Sequence, residues 1–330
     1  GLALGAALIA YTKIGILLFT ALFLLRHCGQ GLLSHISSSG TARYFDERRG
    51  RALSLVIVGH AVGEAFLPVV AVSILAVVYW RSSWSHVMVL LVFGLVPLVW
   101  WLLHDQPERH RHYEHSLAAA QQPDAIDPVG RQWTRAEVLG DKTFYIVMVA
   151  LLAPPFIGTG FLFHQVHVAA EKGWTLQWLA ASYMSYALLS VAASLVTGVI
   201  IDRIGAVRLL PWFLLPLGLS MLSLALFTHP VATWVYMGAM GVCLGVVLPM
   251  IVALWAEVYG VTHIGAIRSL GTACAVFASS GSPIVFGFFI DYGISVAALS
   301  WWSLLYIGMA TGMAVLASRL YLIRCRETPG

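Results

Sequence analysis

The sequence predicts an all-α membrane protein, a bundle of nine full transmembrane helices preceded by a short apolar stub. Three observations lead there. The 330 residues are 59% hydrophobic and only 10% charged, with a mean hydropathy of +0.84, whereas a soluble domain carries about a quarter charged residues. Apolar runs near 14–39, 53–76, 87–103, 143–163, 177–201, 209–227, 231–255, 266–290 and 295–318 can each cover a hydrocarbon core, which takes about 20 helical residues. A membrane barrel would instead show alternating segments of about ten residues. Finally, the basic residues fall on alternate loops.

The chain opens on "GLALGAALIAYT", residues 1–12. It is apolar but short of a span, and it lacks the basic start of a signal peptide. It reads as the tail of a helix whose beginning is absent. The runs at 14–39, 53–76 and 87–103 complete a first part, residues 1–103. A polar, proline-bearing stretch at 104–142 reads as a linker. Six further runs fill 143–318, and 319–330 form a tail.

Counting loops alternately, fifteen of the nineteen Lys and Arg residues fall on one side, including Arg43, Arg109, Arg135, Arg203, Arg208 and Arg319. Lys13, Arg81 and Lys172 fall on the other. The positive-inside rule makes the first side cytoplasmic, with the linker and the tail. The net charge of +4 therefore reads as topology rather than a nucleic-acid footprint. The four cysteines, Cys28, Cys243, Cys274 and Cys325, have neither disulfide-framework nor zinc spacing. The histidines of the linker (His104, His110, His112, His115) read as solvated. No metal or other cofactor is expected.

Shifting the chain by 215 residues lays Tyr44 on Tyr259, Gly50 on Gly265, Ser54 on Ser269, Leu55 on Leu270 and Pro68 on Pro283. Each set covers a loop on the basic side and the helix after it, as in the parallel repeats of transporters. "GVIIDRIGAVR" (198–208) holds Gly198, Asp202, Arg203, Gly205 and Arg208. This resembles the signature loop of the major facilitator superfamily, Gly-x-x-x-Asp-Arg-x-Gly followed by a basic residue, in its second-half copy. "YFDERRGRAL" (44–53) and "YGVTHIGAIRSL" (259–270) resemble loops of its monocarboxylate-transporter and oxalate/formate-exchanger branches. The resemblance implies a major facilitator-type bundle of two pseudo-symmetric halves. It also implies that two helices and most of a third precede residue 1, and that the loop at 198–208 latches one face during the transport cycle. In that loop Asp202 is expected near the positive N-terminal end of the next helix.

The chain departs from the branches in places. Where the antiporter signature has Gly-x-x-x-Gly-Pro, this chain has Gly59, Gly63 and Glu64; 177–198 is uncharged, and 266–290 carries only Arg268.

Of the acids, only Glu64 lies deep in a span, and of the bases only Arg26. Ionisable groups at membrane depth are usually paired and functional. Counted from the basic side, both lie roughly 21–23 Å in, which predicts that they meet or share a solute. Arg26, Gln30, Ser34, Ser37 and Thr41 recur on one helical face; His60 and Glu64 share a face at i,i+4. Tyr183, Tyr186, Ser190, Ser194 and Thr197 form a second polar stripe. The run at 143–163 is expected to break at Pro154–Pro155 and then to lead to His164, Gln165 and His167.

The substrate and coupling residues read from this are Arg26, Gln30, Glu64, His60, Tyr183, Tyr186, Ser190 and His164. The corresponding function is proton-coupled secondary transport of a small polar or anionic solute across the cell (cytoplasmic, inner) membrane. Arg26 offers a fork to a carboxylate. Glu64 is the proton carrier, because its protonation responds to apolar surroundings, to Arg26 and to arriving solute. Efflux of amphipathic compounds by proton antiport, a non-transporting sensor and an intramembrane enzyme are the alternatives. The enzyme lacks any activated nucleophile or metal-ligand set beside His60 and Glu64.

Overall fold

A computed structural model describes residues 1–33, 36, 49–104, 133–260 and 263–327. The described elements are all helical. They are α1 (Leu2–Tyr11), α2 (Gly15–Leu24) continued by a π-helix (Leu25–Leu33), and α3 (Arg49–Leu75); α4 (Trp80–Leu102) follows. After the linker come α5 (Arg135–Gly140), α6 (Lys142–Phe163), α7 (Gln165–Lys172), α8 (Leu176–Ile204) and α9 (Ala206–Leu209). The chain closes with α10 (Leu215–Leu226), α11 (Ala232–Tyr259), α12 (Ile264–Asp291) and α13 (Val296–Glu327). Among the described residues six helices are long and apolar enough to cross a membrane: α4, α6, α8, α11, α12 and, over Val296–Ile323, α13.

The 215-residue echo extends to helix boundaries. Adding 215 to the bounds of α3 gives 264 and 290, against Ile264–Asp291 for α12. The same shift carries Leu2–Tyr11 onto 217–226, inside α10, and Trp80 onto 295, one residue before α13. Pro68 and Pro283 both lie inside their helices. The bilayer tolerates this where neighbouring groups satisfy the freed carbonyls.

Two compact units form. One comprises residues 1–60 and 70–126, the other 61–69 and 127–330. In the first unit α1 packs on α2 and on the start of α4, and Arg81 donates to the Thr12 carbonyl at 2.7 Å. Its guanidinium also lies 4.7 Å over the Trp80 ring. The loop after α1 and the start of α4 therefore share one end of this unit.

The second unit holds one large core, with Trp255, Tyr236, Tyr259, Tyr321, Phe161 and Phe213 among its fully buried side chains. Three of its helices begin on side-chain caps. Thr134 and Glu137 form a capping box on α5, Asp141 accepts the Thr143 N–H at 3.0 Å, and Thr175 accepts the Trp178 N–H at 3.2 Å. Residues 134–141, assigned to the linker from sequence, are thus folded. Trp133 donates its N–H to the Tyr259 carbonyl at 3.0 Å. The Tyr259 hydroxyl bonds Asp141 at 2.9 Å and Tyr321 at 3.0 Å.

Two expectations change. α6 runs through Pro154 and Pro155 without breaking, and the break falls at His164, between α6 and α7. The run at 209–227 is two helices, α9 and α10, separated by a turn that holds Pro211. The linker residues 105–132, and Ser34, Ser37 and Thr41 of the first polar stripe, lie outside the described residues.

Candidate functional site: a hydroxyl cluster beside Glu64

The seam between α8 and α11 positions the site. Gly238, Gly241 and Gly245 of α11 face α8 so closely that a Cβ on Gly241 would strike the Tyr186 carbonyl, and one on Gly245 the Ser190 carbonyl. Small residues allow this backbone approach, which drives helix association where lipid is as apolar as the side chains. Ser185 continues the seam, donating to the Trp234 carbonyl at 3.2 Å. Ser190, predicted as a solute ligand, is buried here and donates to Ala187 of its own helix at 2.9 Å.

On another face α8 meets the 61–69 segment of α3, where Ala65 packs on Ala187 and Val191. Glu64, next to Ala65, lies within electrostatic reach of both Tyr183 and Tyr186. The two phenol rings stand 6.1 Å apart. Tyr183 donates to the Gln165 Oε1 at 2.6 Å, so the start of α7 joins the cluster. His164, at the break before α7, makes a 2.9 Å Nε2 bond to the Pro283 carbonyl of α12. The imidazole there is the donor, because a carbonyl can only accept. The sequence placed Glu64, Tyr183, Tyr186 and His164 on three helices, and this unit brings the first three together. His164 sits beside them in sequence, adjacent to Gln165, and is anchored on α12.

Arg26 belongs to the first unit. It is exposed within the π-helical stretch, beside His27, whose ring stacks on Phe23 at 5.4 Å. Its hydrogen bonds skip one residue further than in an α-helix, so the face drawn from four-residue steps does not continue unchanged through Leu25–Leu33. Neither Arg26 nor Glu64 is without an interaction partner. The side chains of Gln30 and His60 lie outside the described residues.

The charged loop differs from expectation in one respect. Asp202, Arg203 and Arg208 are exposed. The acid that holds the start of α9 is Glu257 of α11, which accepts the Ala206 N–H at 2.7 Å and the Val207 N–H at 3.4 Å. Gly205, at φ +83, turns the chain between α8 and α9. A Cβ there would come within 2.9 Å of the Glu257 Oε1, so glycine is required on both counts.

A family model described as Major Facilitator Superfamily matches residues 1–283. The chain belongs to the Major Facilitator Superfamily. No curated protein matches it closely enough to add a nearer relative. As a member of this superfamily it is a multi-pass membrane protein of a transporter family, not of an enzyme family, and its partners are small-molecule solutes. The superfamily fold is a helical bundle, in keeping with the all-helical structure. No group of three or more His, Cys, Asp or Glu able to hold a metal occurs among the described residues.

Sequence reasoning missed Glu257 and its counterpart Glu171. Glu171 accepts the Val296 N–H at the start of α13 with both oxygens, at 2.8 and 2.9 Å, and lies 3.5 Å from His167. Beside it, burial pushes the Lys172 ammonium below its ordinary value, while the Glu171 carboxylate acts in the opposite sense. A signal was present for both acids. Each sits in the last turn of its helix, where the helix dipole disfavours a negative charge, so each requires a donor from elsewhere.

Proposed function

We propose that this superfamily member is a proton-coupled secondary transporter of a small polar or anionic solute, working by alternating access. The observation that carries this is that the α3 segment holding Glu64 packs on α8 through Ala65, Ala187 and Val191, within electrostatic reach of Tyr183 and Tyr186 and of the Tyr183–Gln165 bond. A carboxyl there can exchange a proton as its hydroxyl neighbours gain or lose a solute. Arg26 is proposed as the base that takes the solute's anionic group; its seat in a π-helical stretch supports this, since such stretches recur at functional sites. His164, and His60 and Gln30 on the residues whose side chains are not described, complete the proposed set. Ser190 contributes by holding the α8–α11 seam.

Nine spanning helices in two related halves fit the echo of helix boundaries at 215 residues. The loop of Gly198, Asp202, Arg203, Gly205 and Arg208 is proposed as a gate on the cytoplasmic face. The basic-residue asymmetry supports a cytoplasmic position for that face, the linker and the tail, in the cell (inner) membrane proposed for the protein.

Reconstituted counterflow tests the reading. Proteoliposomes preloaded with unlabelled solute from a library of small acids, amino acids and sugars should accumulate the labelled form transiently. Stabilisation by a solute without any counterflow would instead mean a sensor. Arg26→Ala should remove binding of anionic solutes.

A further inference from the structure

Within the second unit α10 lies against α13, and a Cβ on Gly218 of the one would stand at contact distance from Ile307 of the other. Leu215 and Leu222, three residues before and four after Gly218, therefore border the α13 side of α10, and both are exposed. On α13 Gly308 follows Ile307, and Gly312 stands one turn further on the same face. Both glycines are exposed, and a Cβ on either would meet no atom within 4 Å. The pair thus leaves a furrow with leucines on one wall and bare backbone on the other. In a membrane-spanning protein so apolar an exposed face borders acyl chains.

One end of this furrow is positively charged. The Ser318 hydroxyl donates to the Val207 carbonyl at 2.8 Å, which brings together Arg319 and Arg208, each the next residue along from a partner in that bond. Both side chains are exposed, and neither makes a hydrogen bond or ion pair among the described residues. The acid that reaches α9, Glu257, is occupied by the Ala206 and Val207 N–H groups. Asp202, at the end of α8, pairs with neither arginine among the described residues. Trp212, four residues past Arg208, is exposed as well, and tryptophan collects at headgroup depth. Counted along α13, Gly312 and Gly308 lie about 10 Å and about 16 Å from Arg319. The furrow is therefore about as deep as one leaflet, half of a core about 30 Å thick. We propose that an anionic phospholipid of the leaflet bordering the basic loops binds here, with its phosphate between Arg208 and Arg319 and one acyl chain over Gly308 and Gly312. Two guanidiniums without a protein partner, set above an apolar furrow, match a phosphate joined to a hydrocarbon chain, and basic pockets between spanning helices hold such headgroups.

The test follows thermal unfolding of the full chain in detergent, titrated with phosphatidylglycerol, phosphatidylcholine or glycerol phosphate. Phosphatidylglycerol should raise the wild-type Tm at the lowest concentration, and glycerol phosphate, which has no acyl chain, should not raise it. Arg319→Gln should increase the half-saturating phosphatidylglycerol concentration about fivefold, and Arg208→Gln combined with it about thirtyfold, at the worth of one surface arginine each. The Tm without lipid should stay unchanged in both. Arg268→Gln, at an exposed position of α12, removes the same charge elsewhere and should leave the lipid response as it is. Gly312→Leu should weaken the response with both arginines in place, because it fills the furrow. Equal responses to phosphatidylglycerol and phosphatidylcholine, or to phosphatidylglycerol and glycerol phosphate, overturn the proposal. So do equal losses in Arg268→Gln and Arg319→Gln, or a wild-type response in the double variant. If light scattering shows that Gly312→Leu turns a dimer into a monomer, the furrow seats a second copy of the chain and the proposal fails. The readout is lipid binding, so the transport reading stands or falls separately.

Discussion

Gly241 of α11 lies directly against the backbone carbonyl of Tyr186 in α8, with no room for a Cβ between them. The same offset of 55 residues recurs at Gly245 and Ser190, so the two helices run parallel in one fixed register. That register sets where the Tyr186 ring emerges, and so the depth of the hydroxyl cluster beside Glu64. Gly241→Val should force α8 and α11 apart at a cost of about 1–3 kcal/mol. Thermal unfolding in detergent should show a clear fall in Tm, while Gly281→Ala, at a position open on all sides, should show none. Equal Tm values would contradict the close approach.

The start of α9 depends on Glu257 rather than Asp202. Loss of the charge in Glu257→Gln weakens the bonds to the Ala206 and Val207 N–H groups. A cost of about 1–2 kcal/mol corresponds to local opening roughly 5–30 times more frequent. Hydrogen exchange at residues 206–207 should accelerate by that factor. Asp202→Asn, at an exposed side chain, should leave those amides within about twofold of wild type. The reverse ranking would restore Asp202 as the anchor.

At the opposite end of α8, Glu171 ties α7 to the first turn of α13 through Val296. Glu171→Ala leaves that N–H without its acceptor and should destabilise the unit by about 1–3 kcal/mol. His167→Ala should cost far less, about 0–1 kcal/mol, since its contact with Glu171 is long and partly exposed. Comparing the two variants by thermal unfolding checks the order.

Hydropathy made the helices legible, because burial in lipid requires long apolar runs and the chain supplies them. The 215-residue echo was legible from five identities, and the same shift lays α1 inside α10, α3 on α12 and the start of α4 next to that of α13. Local detail was not. Pro154 and Pro155 read as a break, yet α6 passes through them, and the break falls at His164, pinned to the Pro283 carbonyl. Proline chemistry is visible in sequence; a carbonyl waiting on another helix is not. Of the site, Glu64 and the two tyrosines stood out as polar groups at depth. The bond from Tyr183 to Gln165 did not, since a partner on another helix leaves no mark on the sequence. The expected meeting of Arg26 and Glu64 joins residues of different units, and the π-helical winding around Arg26 was also beyond the reach of a periodicity argument.

The most direct test of the central claim compares Glu64→Gln with wild type in proteoliposomes. Counterflow reports solute binding and movement, while accumulation driven by an imposed pH gradient reports coupling. The account predicts that Glu64→Gln keeps counterflow and loses pH-driven accumulation, because the amide preserves the shape and hydrogen bonding of the group but cannot carry a proton. Undiminished pH-driven accumulation in Glu64→Gln would contradict it.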